Sequence, residues 1–502
     1  MDNMKGVMVQ GTSSDSGKSF IATALCRIFS DMGYKVCPFK SQNMSNNSYV
    51  TADGLEMGRA QGVQAEAARV EPQAFMNPIL LKPRKDVSSE IVLMGKVCDA
   101  PCDKNYYKDF TMSRGIETVR EALSIIDKNF DLMVCEGAGS PAEINLNAGE
   151  IANMRVAREA DVPVILVTDV DRGGSLASVV GTLELLGEDR HRVKGIIFNK
   201  FRGDISLFQD AVEWTEKYTG VKVVGVMPWL TDIIIEGEDI LSLNWNSGSG
   251  DCAEKLRVGV VKFPRVSNHT DIEAFRFEPD VEIIELSSPA QLPRLDAVVL
   301  PGTKSTVLDM KYLIDSGLAG GIRRFYENGG TVYGLCGGYQ MMGEKIDDSH
   351  LRDNEQIPEI EGLGLLPAVT TFGEEKTVIR RRGRAIHPYF TTETQVDGYE
   401  IHFGETRPTR DDPNFAPLFE FDGRADGLAD AELRAAGSYL HNAFHNDLFR
   451  AAWLNALRRR RGLPERAPVS TSAAKEAAYD ALAAHARKNL DIDYIVKISG
   501  VK

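Results

Sequence analysis

Between Val9 and Ser19 the chain reads Val-Gln-Gly-Thr-Ser-Ser-Asp-Ser-Gly-Lys-Ser. The apolar run Val7-Met8-Val9 leads into this stretch, and Phe20, Ile21, Ala24, Leu25, Ile28 and Phe29 follow it at helical spacing. A strand, a loop of small residues and a helix, in that order, are the context of a phosphate-binding loop. Gly and Ser let backbone N–H groups wrap a polyphosphate at the helix N-terminus, where the dipole favours negative charge. Gly11, Thr12, Ser16 and Gly17 are expected to line this cradle. Lys18 is placed to reach the outer phosphates, and Ser19 to hold a magnesium ion.

The loop carries five residues, not four, between Gly11 and Gly17. In this it resembles the loop of dethiobiotin synthetase-like ATPases. A second strand is expected over Tyr34–Lys40, and the run Ser41-Gln-Asn-Met-Ser-Asn-Asn-Ser48 reads as a polar loop. It lies just past a strand's C-terminal end, where open α/β sheets bind ligands. A helix is expected from Gly54 to Arg69, carrying Glu56, Arg59, Gln61 and Gln64. The prolines of Met76-Asn-Pro-Ile-Leu-Leu-Lys-Pro-Arg84 argue against a central strand there. The strand Asp131–Cys135 runs into Glu136-Gly-Ala-Gly, and an acid at that position is the second magnesium group of a P-loop ATPase. Glu136 is assigned that role. Three further β-α units, with strands at Pro163–Thr168, Val193–Asn199 and Lys222–Met227, predict a doubly wound, mainly parallel sheet.

From Glu236 the alternation stops, and Leu243–Asp251 has linker composition. A second α/β series starts at Leu256. Its decisive stretch is Gly334-Leu-Cys-Gly-Gly-Tyr-Gln340, where Cys336 sits on a tight strand-to-helix turn that only small neighbours permit. Cys336 is therefore the expected nucleophile, with Gly337 and the Pro301-Gly302-Thr303 turn offering oxyanion donors. The thiol needs a base. Of eight histidines, His441 follows an apolar strand, and His402 and His445 are rivals by position. His191, His269, His350, His387 and His485 read as solvated. The expected boundaries are a P-loop nucleotide-binding domain over 1–235, a linker over 236–255, a cysteine-elbow domain over 256–455 and a helical tail over 456–502. The tail's Ala-rich stretch from Ala473 to Leu490 reads as a surface helix.

The two sites together suggest a glutamine-dependent amidotransferase, and several longer motifs narrow that choice. They are Lys40-Ser-Gln-Asn-Met-Ser-Asn-Asn-Ser, Gly58-Arg-Ala-Gln, Asn77-Pro-Ile-Leu-Leu-Lys-Pro, Asp169-Val-Asp-Arg-Gly-Gly and Phe198-Asn-Lys-Phe-Arg-Gly-Asp, then Pro301-Gly-Thr-Lys-Ser-Thr, the Cys336 stretch and Gly398-Tyr-Glu-Ile-His-Phe-Gly. Over residues 5–455 the chain resembles the adenosylcobyric acid synthase family of cobalamin biosynthesis. The resemblance implies a P-loop sheet domain followed by a class I-type glutamine amidotransferase domain. It also implies ATP and Mg2+, with L-glutamine and adenosylcobyrinic acid a,c-diamide as substrates, and amidation of the b, d, e and g carboxylates. It favours His441 as the base. It points to Lys40, Gln42, Asn43, Asn46, Arg59, Gln61 and Lys82 as substrate residues, with Lys40, Arg59, Lys82 and Arg84 countering an anionic substrate.

Two departures stand out. His441-Asn442 replaces the family's usual His-Gly, and Ala443 stands where many amidotransferases have a Glu two residues after the histidine. The resemblance implies that this glutamate is missing throughout the family, and Glu400 is the remaining candidate for a third member. Ala443 also argues against cytidine triphosphate synthase. Cobyrinic acid a,c-diamide synthase and a partitioning ATPase with an inert sensor domain are the other readings. A net charge of −14 argues against nucleic-acid or membrane-surface partners. Seven scattered cysteines with no signal peptide suggest a reducing cytoplasm. The basic runs Arg380–Arg384 and Arg458–Arg461 read as solvated faces or a helix C-terminus.

Overall fold

The computed structural model describes residues 4–501 except 86–87, 103–105, 147–148, 231–232, 234, 237–254 and 355. The linker-like stretch Leu243–Asp251 lies outside the described residues, as does the side chain of Arg84. The chain forms two compact units, Met1–Glu238 with Lys475–Lys502, and Asp239–Ala474.

The first unit is built on a six-stranded sheet. Its order is Lys222–Pro228, Val193–Phe201, Val164–Asp169, Gly6–Gly11, Leu132–Glu136 and Val36–Phe39, and every pairing is parallel. Gly6–Gly11 is fully buried and lies between Val164–Asp169 and Leu132–Glu136. The chain leaves it toward one side of the sheet and later returns on the other. This is the topological switch point, where a doubly wound sheet opens a crevice at its strand C-termini.

Four expectations are corrected here. The Ser41–Ser48 run is not a loop throughout: Gln42–Met44 and Ser48–Val50 are short strands, and Ser41, Gln42, Asn43, Ser45, Asn47 and Ser48 are buried. The helix is only Arg59–Ala67, because Glu56–Gly58 is a strand paired antiparallel with Ser48–Val50. Ile79–Lys85 is an internal strand despite its proline. The partner Gln42–Met44 pairs only with Ile79–Leu81, so Pro83 sits beyond that partner and owes it no N–H. Finally, the helix Thr471–Asn489 is not simply a surface helix. Tyr479, Leu482, Ala483 and Ala486 join the core formed by Ile21, Leu25, Ile28, Phe29, Val63 and the sheet. The helix Lys18–Asp31 is consequently buried at every position from Ile21 to Phe29.

In the second unit, Val281–Leu286, Leu256–Val261, Ala297–Leu300, Thr331–Leu335 and Ala435–Ser438 are parallel neighbours, and Leu428–Asp430 and Phe415–Ala416 extend the sheet antiparallel. A long antiparallel pair, Ala368–Ala385 with Thr394–Pro408, belongs to a second sheet. The Arg380–Arg384 run lies in that pair, where Arg381 is bonded to Glu400. The four arginines from Arg458 end the helix Asp447–Arg461. Arg458 is not solvated: it is buried and doubly bonded to Asp280.

Candidate functional site

The phosphate-loop residues meet at the C-terminal edge of the first sheet. Gly17 has a positive φ of 99°, and a Cβ there would come 2.0 Å from Asn199 Nδ2, which donates to the Ser16 carbonyl. Only glycine fits this close approach at that φ. Thr12 N–H donates to Val167 O, and its hydroxyl bonds Thr168. Lys18 curls over the loop, donating to the carbonyls of Ser13 (2.9 Å) and Gly139 (3.0 Å). The Ser16 hydroxyl is buried with no hydrogen-bond partner, as expected of a group awaiting a ligand.

Glu136 is fully buried at the end of its strand. It accepts from Ser19 Oγ at 2.7 Å, Lys40 Nζ at 3.0 Å and Gln64 Nε2 at 2.6 Å. A hydroxyl and a carboxylate in contact beside a phosphate loop are the oxygen donors that Mg2+ takes, with phosphate and water completing its shell. The residues present fit that ion.

The candidate substrate residues gather next to this edge, though not as free cations. Lys40 pairs with Glu136, Arg59 with Glu236 and Lys82 with Glu56, all six side chains buried. Burial of a charge demands such a partner, and each of the three has a carboxylate. Gln42 and Asn43 are buried and Asn46 is half-buried. Asn43 Nδ2 approaches Gln61 Oε1 at 3.5 Å, and Asn77 ties Gly58 N–H to the Lys40 carbonyl.

In the second unit, Cys336 directly follows the strand Thr331–Leu335, and His441 lies just past its parallel neighbour Ala435–Ser438. Two adjacent strand ends thus carry the pair. Cys336 takes φ 50° and ψ −107°, a strained conformation found where a nucleophile must project from a tight turn. Gly338 is required because a Cβ there would come 2.0 Å from the Leu300 carbonyl oxygen. Cys336 N–H donates to Ser438 O, and Sγ lies 3.5 Å from Ile401 O. Gly337 abuts Thr303, and Gly302 abuts His441 Cε1. The two proposed oxyanion positions therefore flank the pair.

His441 is buried. Its Nδ1 is 2.7 Å from Asp271 Oδ2, and the other oxygen of Asp271 accepts from Asn442 N–H at 2.7 Å. Tyr399 stacks on the ring at 5.1 Å, and Asn268 Nδ2 lies within 3.3 Å of both ring nitrogens. Burial disfavours the charged imidazole, but the charge of Asp271, joined by Cys336, outweighs it and pushes the ring up to about 10. Asn442 has φ 65°. Asparagine is one of the few residues with a side chain that enter this left-handed region.

Asp271 was not among the expected residues. Glu400, the candidate third member, instead bonds Arg381 and His402. His402 and His445 are engaged elsewhere, with Gly404 O and Thr270 O. His269 and His387 are buried, not solvated. A signal for Asp271 did exist: it follows the parallel strand Leu256–Val261, so it belongs to the same sheet edge as Cys336.

Residues 7–241 match the CobQ/CobB/MinD/ParA nucleotide binding domain, and residues 257–449 the CobB/CobQ-like glutamine amidotransferase domain. The chain is 46% identical over 491 residues to a cobyric acid synthase of Geobacillus thermodenitrificans, covering 97% of each protein. It is 43% identical over 504 residues to one of Carboxydothermus hydrogenoformans, covering 99% of this chain and all of the relative. The chain belongs to the cobyric acid synthase family. As a cobyric acid synthase family member it is an enzyme, a glutamine-dependent ligase that forms amides in cobalamin biosynthesis. The family's two matched domains coincide with the two sheets whose edges hold the sites above.

Proposed function

We propose that this enzyme amidates the b, d, e and g carboxylates of adenosylcobyrinic acid a,c-diamide, using one ATP and one glutamine for each, to give adenosylcobyric acid. The reading is carried by Cys336 and His441 on adjacent strand ends of one unit and a complete phosphate loop in the other.

In the glutaminase unit, Cys336 Sγ attacks the side-chain amide carbon of glutamine. The thiol proton passes to His441, and Asp271 stabilises the imidazolium that this forms. The oxyanion is met by N–H groups at Gly302 and Gly337. His441 then protonates the departing nitrogen, ammonia leaves, and water hydrolyses the thioester to glutamate. In the synthetase unit a corrinoid carboxylate oxygen attacks the γ-phosphorus of ATP, giving an acyl phosphate and ADP. Ammonia displaces phosphate from it to give the amide. Lys18 and the Gly11–Ser19 amides hold the phosphates. A magnesium ion on Ser19 and Glu136 would neutralise charge developing on the transferred group. The polar wall of Gln42, Asn43, Asn46 and Gln61 would receive the corrinoid's amide and carboxylate rim.

The test is incubation with ATP, glutamine and the a,c-diamide, followed by mass spectrometry, with cobyrinic acid as a competing substrate. Stepwise conversion of four carboxylates, each with one ADP and one glutamate, is expected. Turnover of cobyrinic acid at positions a and c alone would overturn the assignment in favour of the diamide synthase.

A further inference from the structure

The C-terminal helix Thr471–Asn489 lies beyond residue 449, where the second matched domain ends. From Lys475 onward it belongs to the first unit. Its contacts there are specific as well as apolar. Lys475 Nζ lies 2.6 Å from one oxygen of Glu236. The other oxygen of that carboxylate holds Arg59, at 2.7 Å from Nε and 2.5 Å from Nη2. Lys475 also approaches Glu66 Oε2 at 3.3 Å, and the Tyr479 hydroxyl donates to the same oxygen at 3.0 Å. Arg59 is the first residue and Glu66 the penultimate residue of one helix, Arg59–Ala67. The tail therefore grips that helix at both ends.

The gripped helix is the one that serves the nucleotide edge. Its Gln64 donates to Glu136, the carboxylate bonded by Ser19 and Lys40. Its Gln61 faces Asn43; the N–H of its cap, Gly58, donates to Asn77 Oδ1, and the N–H of its first residue, Arg59, donates to Asn47 O. The guanidinium of Arg59 lies over the Tyr49 ring. A shift of the Arg59 end would move the whole amide wall, whereas the phosphate loop is anchored on a different helix.

We propose that Lys475 is a positioning residue for the amidation reaction: by holding Glu236 against Arg59 it sets the place of Gln61 and the neighbouring amides that receive the corrinoid. The inference rests on the assignment of that edge as the synthetase site. It requires nothing of the glutaminase.

The test uses the full-length enzyme with ammonium salt as nitrogen donor, comparing wild type with Lys475→Met, Lys475→Arg and Tyr479→Phe. Lys475→Met is expected to lower kcat/KM for the corrinoid by about tenfold to a hundredfold, the range that misplacement of a distant support produces. The loss should appear chiefly as a raised corrinoid KM, larger than any rise in the KM for ATP passed on through Gln64 and Glu136, with glutamine hydrolysis unchanged. Lys475→Arg should restore most of it, since it keeps the charge on Glu236. Should Lys475→Met not fold, Glu236→Gln, which keeps the side-chain shape, takes its place with the same expectation. Equal changes in the KM values of ATP and corrinoid, or unchanged corrinoid kinetics, would overturn the proposal. Lys18→Ala run alongside separates the two layers. If it still makes product from ammonia, the synthetase-site assignment itself has failed, whatever Lys475→Met does.

Discussion

Asp271 and His441 lie 170 positions apart in the chain and meet at 2.7 Å, both side chains only 1% exposed. One oxygen of the carboxylate holds the imidazole and the other holds the next backbone N–H, at Asn442. That double attachment fixes both the ring's orientation and the turn that carries it. Asp271 is thus the carboxylate on the ring, where two residues after the histidine this chain has Ala443.

The first prediction follows from that charge. Asp271→Asn keeps the shape and removes the strongest influence that favours imidazolium. Glutamine hydrolysis should fall by about 10²–10⁴-fold, the usual worth of a positioned acid–base group. In the native protein the ring's pKa is raised from an ordinary 6.5 to about 10. Its contribution to stability is therefore fully present below about pH 6.5 and fades as pH rises through about 10. The alkaline limb of the glutaminase profile should move to lower pH in Asp271→Asn. An unchanged limb would mean that another group protonates the leaving ammonia.

A second prediction concerns strain at Cys336. Its φ of 50° and ψ of −107° cost on the order of 1–3 kcal/mol for a residue with a Cβ. Glycine relieves that cost but loses more chain entropy on folding, about 0.4–1 kcal/mol. Cys336→Gly should thus be more stable than Cys336→Ala by about 1 kcal/mol, although both lack glutaminase activity. Both should keep amidation from ammonium salts. Chemical denaturation of the two variants checks the order, and a more stable alanine variant would show that the turn is unstrained.

In the first unit, Lys18→Ala and Glu136→Gln should abolish amidation with either nitrogen donor, because on the proposed route both donors need the acyl phosphate. Basal glutamine hydrolysis should persist. Nucleotide binding separates the two residues: Glu136→Gln should weaken the dependence of ATP affinity on Mg2+, while Lys18→Ala should weaken ATP affinity at any Mg2+ concentration. Isothermal titration at two magnesium concentrations reads this out. If Glu136→Gln leaves the magnesium dependence intact, the ion is held elsewhere.

The sequence made the two strand-end motifs legible because each is local: a Gly-rich turn, a strand before it and a helix after it. The alternation of strands and helices likewise reads directly as parallel sheet. What escaped depends on partners distant in the chain. The Ser41–Ser48 run looked like a loop because amides and hydroxyls favour turns. In the fold Gln42–Met44 pairs as a strand with Ile79–Leu81 and most of the segment is buried, although Asn46 Oδ1 has no hydrogen-bond partner. The tail's Ala-rich pattern is one of a helix with a narrow apolar face. Nothing local states that this face closes over the helix that begins at Lys18. Asp271 lies in the 3₁₀ helix His269–Phe277, ten residues past its strand, and only the fold brings it to His441.

The last prediction decides among the histidines. His441 alone of the three candidates combines a buried ring, an acid on Nδ1 and a place at the strand end next to Cys336. His402 is stacked on Tyr439 at 3.7 Å and bonded to Gly404 O and Glu400, so its ring nitrogens are committed within its own strand pair. His445 Nε2 lies 2.9 Å from Thr270 O, a contact that joins its turn to the segment bearing Asp271. His441→Ala should reduce glutamine hydrolysis by about 10²–10⁴-fold and spare ammonia-driven amidation. His402→Ala and His445→Ala should lose far less, and His445→Ala more in stability than in rate. Measuring glutamine hydrolysis and thermal unfolding for all three side by side gives the answer. A His441→Ala enzyme that retains more than about a tenth of its rate, outside the range for a general base, would transfer the role to another group.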